Sequence, residues 1–181
     1  MTSKLKVNLI NDSGDNNIIT SDGSGVITSS KFKIGQVVST TKTDTFSTTS
    51  TSSTDITGMS VSITPTSTSS KIYINASLSI SASSNVFHFV NLLRDSTEIC
   101  LGDADGSRDR VTTHGYAVYG PNNMGVSVSF LDSPSTTSSV TYKFQMRMSG
   151  GTGYLNKDHD DADSSNRGRD ASTITVMEVL P

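Results

Sequence analysis

The chain has 181 residues and a formal net charge of −3, with 33 serines and 24 threonines, so close to a third of its positions carry a small hydroxyl. Fifteen aspartates stand against two glutamates (Glu98, Glu178) and six alanines, a shortage of helix formers that excludes a helical protein. Leu, Ile, Val and Phe make up less than a quarter of the residues, enough for only a thin core, and the small negative charge provides no basic footprint for nucleic acid. The length supports one domain with a short appendage. A single cysteine, Cys100, excludes an intrachain disulfide framework and a multi-cysteine zinc site. The N-terminal stretch "MTSKLKVNLINDSGDNN" turns polar after Ile10, so no signal peptide is expected. No apolar run approaches the roughly 20 residues that span a bilayer, so neither is membrane insertion.

In chain order, residues 1–30 come first. "KLKVNLI" and "GVIT" are short strand-like pieces separated by "NDSGDNN" and "SDGSG". They hold too few apolar residues to bury a core of their own. Winding with identical segments of sister chains, docking onto a larger assembly, and a loose tail all fit this composition. The boundaries expected are therefore a connector over 1–30 and a β-rich unit over 31–181.

From "GMSVSITP" onward, apolar and hydroxyl side chains alternate with the period of two that marks strands. Met59, Val61 and Ile63 share a face. "KIYINASLSISA" puts Ile72, Ile74, Ala76, Leu78 and Ile80 on one side. "NVFHFVNLLRDSTEICLG" reads as a hairpin turning at Asp95 and Ser96. Both faces of its first arm are apolar, Phe87, Phe89 and Leu93 on one and Val86, Val90 and Leu92 on the other. One face must enter a core, so the second needs a partner. Val86, His88, Val90 and Leu92 are the candidate subunit interface. Further strands follow at Val126, Val128 and Phe130, at Val140 to Met148, and at Ile174, Val176 and Glu178. Turn signals every 8–15 residues or so make this an all-β, antiparallel β-sandwich or barrel.

Catalytic and metal-binding patterns are weak. An EF-hand register on "LGDADGSRDRVT" aligns Asp103, Asp105 and Gly106 but places Leu101 and Thr112 at the terminal ligand positions. A polar Asx turn is the better reading. "NKDHDDADSSNRGRD" gathers Asp158, His159, Asp160, Asp161, Asp163 and Asp170 without a sharp-turn glycine, and Arg167 and Arg169 are at hand to neutralise them. A self-paired loop is expected there, with no metal and no cofactor. His88, His114 and His159 adjoin no nucleophile elbow, and no carboxylate pair stands out for glycoside cleavage. Cys100 closes an apolar strand and reads as a small core residue.

The stretch "IGQVVSTTKTDTFSTTSTSSTDITGMSVSITPTSTSSKIYI", followed by "LLRDSTEI", "GDADGSR", "VSFLDSPSTTSSVTYKFQ" and "STITVMEV", resembles fibre-like virion proteins of marine bacteriophages, notably those of cyanobacterial hosts. The leader resembles their short N-terminal repeats. The resemblance implies a jelly-roll-like β-sandwich head, a homotrimer, attachment to other virion proteins through the N-terminal segment, synthesis in the host cytoplasm and residence in the virion. It supplies no binding motif. A structural, non-enzymatic fibre or tail fibre involved in host attachment is the expected function. The alternatives are a capsid-mounted fibre or decoration protein, and a carbohydrate-active enzyme or free carbohydrate-binding module. Loop tips are the candidate recognition elements, namely Asp103, Asp105, Arg108, Asn122, Asn123, His159, Asp160, Asp161, Asp163 and Arg167, facing a host surface glycan or protein or a neighbouring virion protein.

Overall fold

The computed structural model describes residues 9–21, 27–28, 33–83, 85–118 and 122–181. Three short strands, β1 (Leu9–Asn11), β2 (Asn17–Ser21) and β3 (Ile27–Thr28), form an antiparallel sheet of their own. From β4 onward the chain builds two further antiparallel sheets. One contains β4 (Ile34–Lys42), β5 (Phe46–Thr48), β7 (Lys71–Ala82), β11 (Met124–Asp132), β13 (Gly153–Leu155) and β14 (Ser172–Val179). The other contains β6 (Thr54–Ile63), β8 (Val86–Arg94), β9 (Thr97–Ile99), β10 (Thr113–Ala117) and β12 (Val140–Met148).

The pairing register reduces these to four long strands per sheet. β14 runs along residues 71–77 of β7 and β13 along 80–82, so the two lie end to end on one side of β7, with β11 on the other. β4 and β5 pair in turn with β14 and β13. In the second sheet β9 and β10 both lie along one edge of β8, and β12 separates β8 from β6. Counting each broken strand once, the spatial orders are 1-8-3-6 and 2-7-4-5, which is jelly-roll connectivity. The sandwich expected from the hydroxyl alternation is thus present.

The alternating faces predicted for β6, β7, β12 and β14 point inward. Ile72, Ile74, Leu78, Ile80, Tyr142, Phe144, Met146, Met148, Ile174 and Val176 are essentially inaccessible. In β6 the period slips at Gly58, whose φ of +82° suits glycine, and a register shift in the β6–β12 ladder lets both Ile56 and Met59 face the core. Two buried carboxylates flank Ile72 at one end of the sandwich. Asp132 accepts from Arg94 Nη1 (2.8 Å) and the Tyr142 hydroxyl (2.7 Å), linking the two sheets. Burial, and then this bond, raise the Tyr142 pKa. Glu178 accepts from Gln36 Nε2 (2.9 Å) and from the Thr66 N–H (2.6 Å) and hydroxyl (2.7 Å). Burial pushes the Glu178 carboxyl up, but these donors outweigh it and hold it below its usual range.

The expected subunit interface requires correction. Val90 and Leu92 are fully buried, His88 is 1% exposed, and Val86 packs partly against the same cluster, so this face of β8 is the inner one. Gly115, paired with His88, makes the choice possible, because a Cβ there would lie 2.6 Å from the His88 ring. Burial, and secondly the charge of His114, lower the His88 pKa. The exposed apolar face of β8 carries Phe87 and Phe89 instead.

The breaks between β4 and β5 and between β13 and β14 coincide, and Asn156 bridges them. Its φ of 62° is tolerated by asparagine. Its Nδ2 donates to the Lys42 and Asp44 carbonyls (2.8 and 3.0 Å), and its Oδ1 accepts from the Ser172 hydroxyl (2.6 Å). Replacing Asn156 by Ala strips all three bonds and leaves a left-handed residue with a bare Cβ. The expected loss is about 3 kcal/mol in urea unfolding at constant m-value. A loss below about 1 kcal/mol would show that the paired breaks hold without this side chain.

Candidate recognition surface

The chain enters the sandwich at Lys33, where Ile34 pairs with Val179 near the buried carboxylates. Lys42 pairs with Ser172 at the far end of the same strands, and Met124 with Ile80, so residues 122–123 and the loop 156–170 border the end opposite the entry. They meet at Asp170, whose carboxylate accepts from Asn123 Nδ2 and from the Ser79 hydroxyl, both at 2.5 Å.

The acidic loop is internally paired, as its arginines suggested. Arg167 Nη1 donates to Asp158 (2.8 Å) and its Nη2 to Asp160 (3.2 Å), while Arg169 and Lys157 both reach Asp161 (2.7 and 3.4 Å). The Asp158 side chain is 6% exposed. Burial pushes its carboxyl up, but the Asp161 N–H (2.7 Å) and the Arg167 guanidinium outweigh it and hold the pKa below the ordinary value. Asp158, Asp161, Arg167 and Arg169 line a shallow depression of about 290 Å³ with Ala162, Asp163 and Gly168. Among the described residues no cluster of three or more His, Cys, Asp or Glu is placed to hold a metal ion.

A second depression, of about 320 Å³, lies on the outer face of the other sheet. Strand alternation puts Phe87, Phe89 and His114 on its floor, with Tyr116 and Arg147 packed against these rings. Tyr116 and Phe87 are register partners with ring centroids 4.9 Å apart, edge to face. His114 is the partner of Phe89, stacked at 6.1 Å. Arg147, across from Phe89 on β12, lays its guanidinium 3.7 Å from the Phe89 ring centre. The wall is the 100–112 loop. The chain leaves the β8 ladder at Ile99, opposite Leu92, and rejoins it at Thr113, opposite Val90. At this gap the Thr112 hydroxyl accepts the Leu92 N–H (2.8 Å) and lies 3.2 Å from the Ile99 carbonyl, to which it donates. Arg110 Nε bonds the Gly102 carbonyl across the neck (2.7 Å), and Asp109 pins the loop to Arg147 (2.5 Å). Cys100, at the neck, packs against the core, and burial pushes its thiol up.

The predicted recognition residues therefore fall in two places. Asn123, Asp160, Asp161 and Arg167 gather at the end away from the chain's entry, with Asn122 and Asp163 exposed beside them. Asp103, Asp105 and Arg108 stand on the 100–112 loop, where Arg108 pairs with Asp105. His159 departs from its expected role at an open tip, since its side chain is 7% exposed and its Nε2 lies 2.5 Å from Asp160. Reading the sequence by loops missed Phe87, Phe89, Tyr116 and Arg147, which project from strands. The available signal was the doubly apolar face of β8.

No family model matches the chain, and no curated protein does. Among solved structures it is similar to chains of infectious bursal disease virus. For the Gt strain the identity is 11%, with 87% of this chain and 41% of that chain covered at a TM-score of 0.45. For the Gx strain the identity is 12%, with 87% and 40% covered at 0.45. For the VP2 subviral particle the identity is 12%, with 87% and 41% covered at 0.38. The chain spans about two fifths of the length of these virus chains.

Two outcomes follow for the acidic loop. Because Asp158, Asp160 and Asp161 already have cationic partners, melting in excess EDTA is expected to match melting in millimolar Ca²⁺; a reproducible rise of several degrees in Ca²⁺, abolished in the Asp160→Asn, Asp161→Asn double variant, would reveal a calcium site. The lowered Asp158 pKa means that its stabilisation is complete above the ordinary value of 3.8 and disappears as pH falls through the folded value. Asp158→Asn is expected to lower the melting temperature by about 3 °C or more at neutral pH, with the gap closing in acid. A gap that stays constant with pH would contradict this.

Proposed function

We propose that the chain is a fibre-type virion structural protein of a bacteriophage, without catalytic activity, whose β-sandwich head is carried by its N-terminal segment and contributes to host attachment. The observation that carries this reading is the polarity of the sandwich. The chain enters beside Glu178, and the polar residues 122–123 and the loop 156–170 lie at the opposite end. Residues 1–30 then serve as the connector to other virion proteins and residues 31–181 as the head.

A homotrimer, as the sequence resemblance implies, suits the leader. None of residues 9–20 is buried, and Leu9 and Ile10 stand 46% and 44% exposed. Ile34 and Val37 on the edge strand β4 are exposed as well. Apolar groups on so small a sheet gain burial when other chains pack on them. With the inner face of β8 filled by the core, the exposed apolar groups of the leader and of β4 support a subunit contact there.

Mass photometry of the full chain at micromolar concentration is expected to give three times 19.2 kDa. The Leu9→Asp, Ile10→Asp double variant is expected to shift the population toward single chains without loss of cooperative melting. A wild-type monomer would overturn the trimer. Antibody labelling of virions, with reduced adsorption after charge reversal at Asp160, Asp161 and Asp163, tests location and recognition together; labelled virions with unchanged adsorption would favour a capsid-mounted fibre without a receptor role.

A further inference from the structure

We infer that the depression between the 100–112 loop and the outer face of β8 and β10 binds a neutral hexose unit of a polysaccharide. The inference rests on the recognition role proposed above and names its ligand class. A pyranose ring has one or two faces of C–H groups and a perimeter of hydroxyls that both donate and accept. A site for it needs an exposed aromatic face against the C–H hydrogens and fixed polar groups around the edge. Phe87, 45% exposed, lines the depression with a rigid ring, and Tyr116 on the paired strand packs edge to face beside it. His114, Ser107, Arg108 and Asp109 supply donors and acceptors along the wall.

Charge decides between sugar classes. Arg147 is neutralised by Asp109, and Arg108 by Asp105. These two arginines therefore act as held hydrogen-bond donors, and neither offers a carboxylated or sulfated sugar an unpaired charge. The same pairs argue against a second copy of the chain as occupant, because an apolar subunit contact would desolvate Arg108 and Asp109, which now stand in water. The volume of about 320 Å³ is at the lower end of small-ligand sites, the scale of a sugar unit rather than of a protein interface. A single site of this kind binds weakly, and three on one particle component gain by avidity.

The test uses the full chain with maltohexaose, cellohexaose and mannohexaose as neutral probes, and sialyllactose and trigalacturonate as acidic ones. Binding is followed by NMR on ring-labelled phenylalanine and by saturation transfer. At least one neutral probe is expected to bind in the millimolar range and to shift the Phe87 resonances. Phe87→Ala is expected to weaken it by about tenfold or more, and Phe87→Tyr to retain it within about twofold, with folding and oligomeric mass unchanged in both. Absence of binding by all three neutral probes, tighter binding of an acidic probe, or unchanged affinity in Phe87→Ala would overturn the inference. So would a changed mass in Phe87→Ala, which would assign this face to a subunit contact. A monomeric chain that binds a neutral probe through Phe87 would support the site and overturn the trimeric fibre reading. A trimer that promotes adsorption yet binds none of the neutral probes would overturn the site alone.

Discussion

The sandwich depends on breaking two neighbouring strands at the same level and giving the carbonyls freed there new donors. A buried peptide carbonyl without a donor is costly, and the break between β4 and β5 frees two, those of Lys42 and Asp44. One side chain answers both. An amide carries two N–H donors and an acceptor in one plane, and asparagine is among the few residues besides glycine that visit the left-handed region readily. Asn156 therefore closes the edge of one sheet, receives the Ser172 hydroxyl from the start of β14, and takes the Asp170 N–H on its own carbonyl. The acidic loop thus leaves and returns within reach of one residue, and its ion pairs decorate a frame that is already set.

Around that frame, the abundance of hydroxyls has a structural use. On the outer faces they pair across strands, as in Ser39 with Thr175 (2.8 Å), Ser62 with Thr141 (2.8 Å) and Tyr73 with Ser129 (2.7 Å). Threonine also has the branched β-carbon that strands favour. Short side chains of this kind satisfy one another at the surface, so a sheet can remain regular with little apolar material outside the core. This is why a chain with so few Leu, Ile, Val and Phe residues still folds as two full layers.

Strands whose inner and outer faces differ in polarity were legible from sequence. β7 and β12 alternate apolar with mostly polar residues, and β14 sets Ile174, Val176 and Glu178 on one face, the face that the structure turns inward. β4 was not legible, because "IGQVVSTTK" shows little contrast and its innermost side chain is Lys42, 4% exposed, whose ammonium emerges to meet Asp44 (2.8 Å). β5 and β13 are too short for any period, and β10 reads "THGYA". β8 defeats the rule differently. With both faces apolar, periodicity identifies the strand but not its orientation, which depends on Gly115, a residue distant in sequence. The self-pairing of the acidic loop was legible from its two arginines, whereas the aromatic face required knowing which strands lie side by side.

The 100–112 loop interrupts an edge that is otherwise continuous, and its neck is closed by Thr112, Arg110 and the ladder itself. Residues beyond the neck can therefore be replaced, added or removed without shifting the register of β8, and each doubling of length adds only about 0.6 kcal/mol of closure entropy. Such an arrangement separates inheritance of the fold from change in the surface it presents. The sheet supplies constant rings, and the loop is an exchangeable rim that can be rewritten while the core beneath it stays the same.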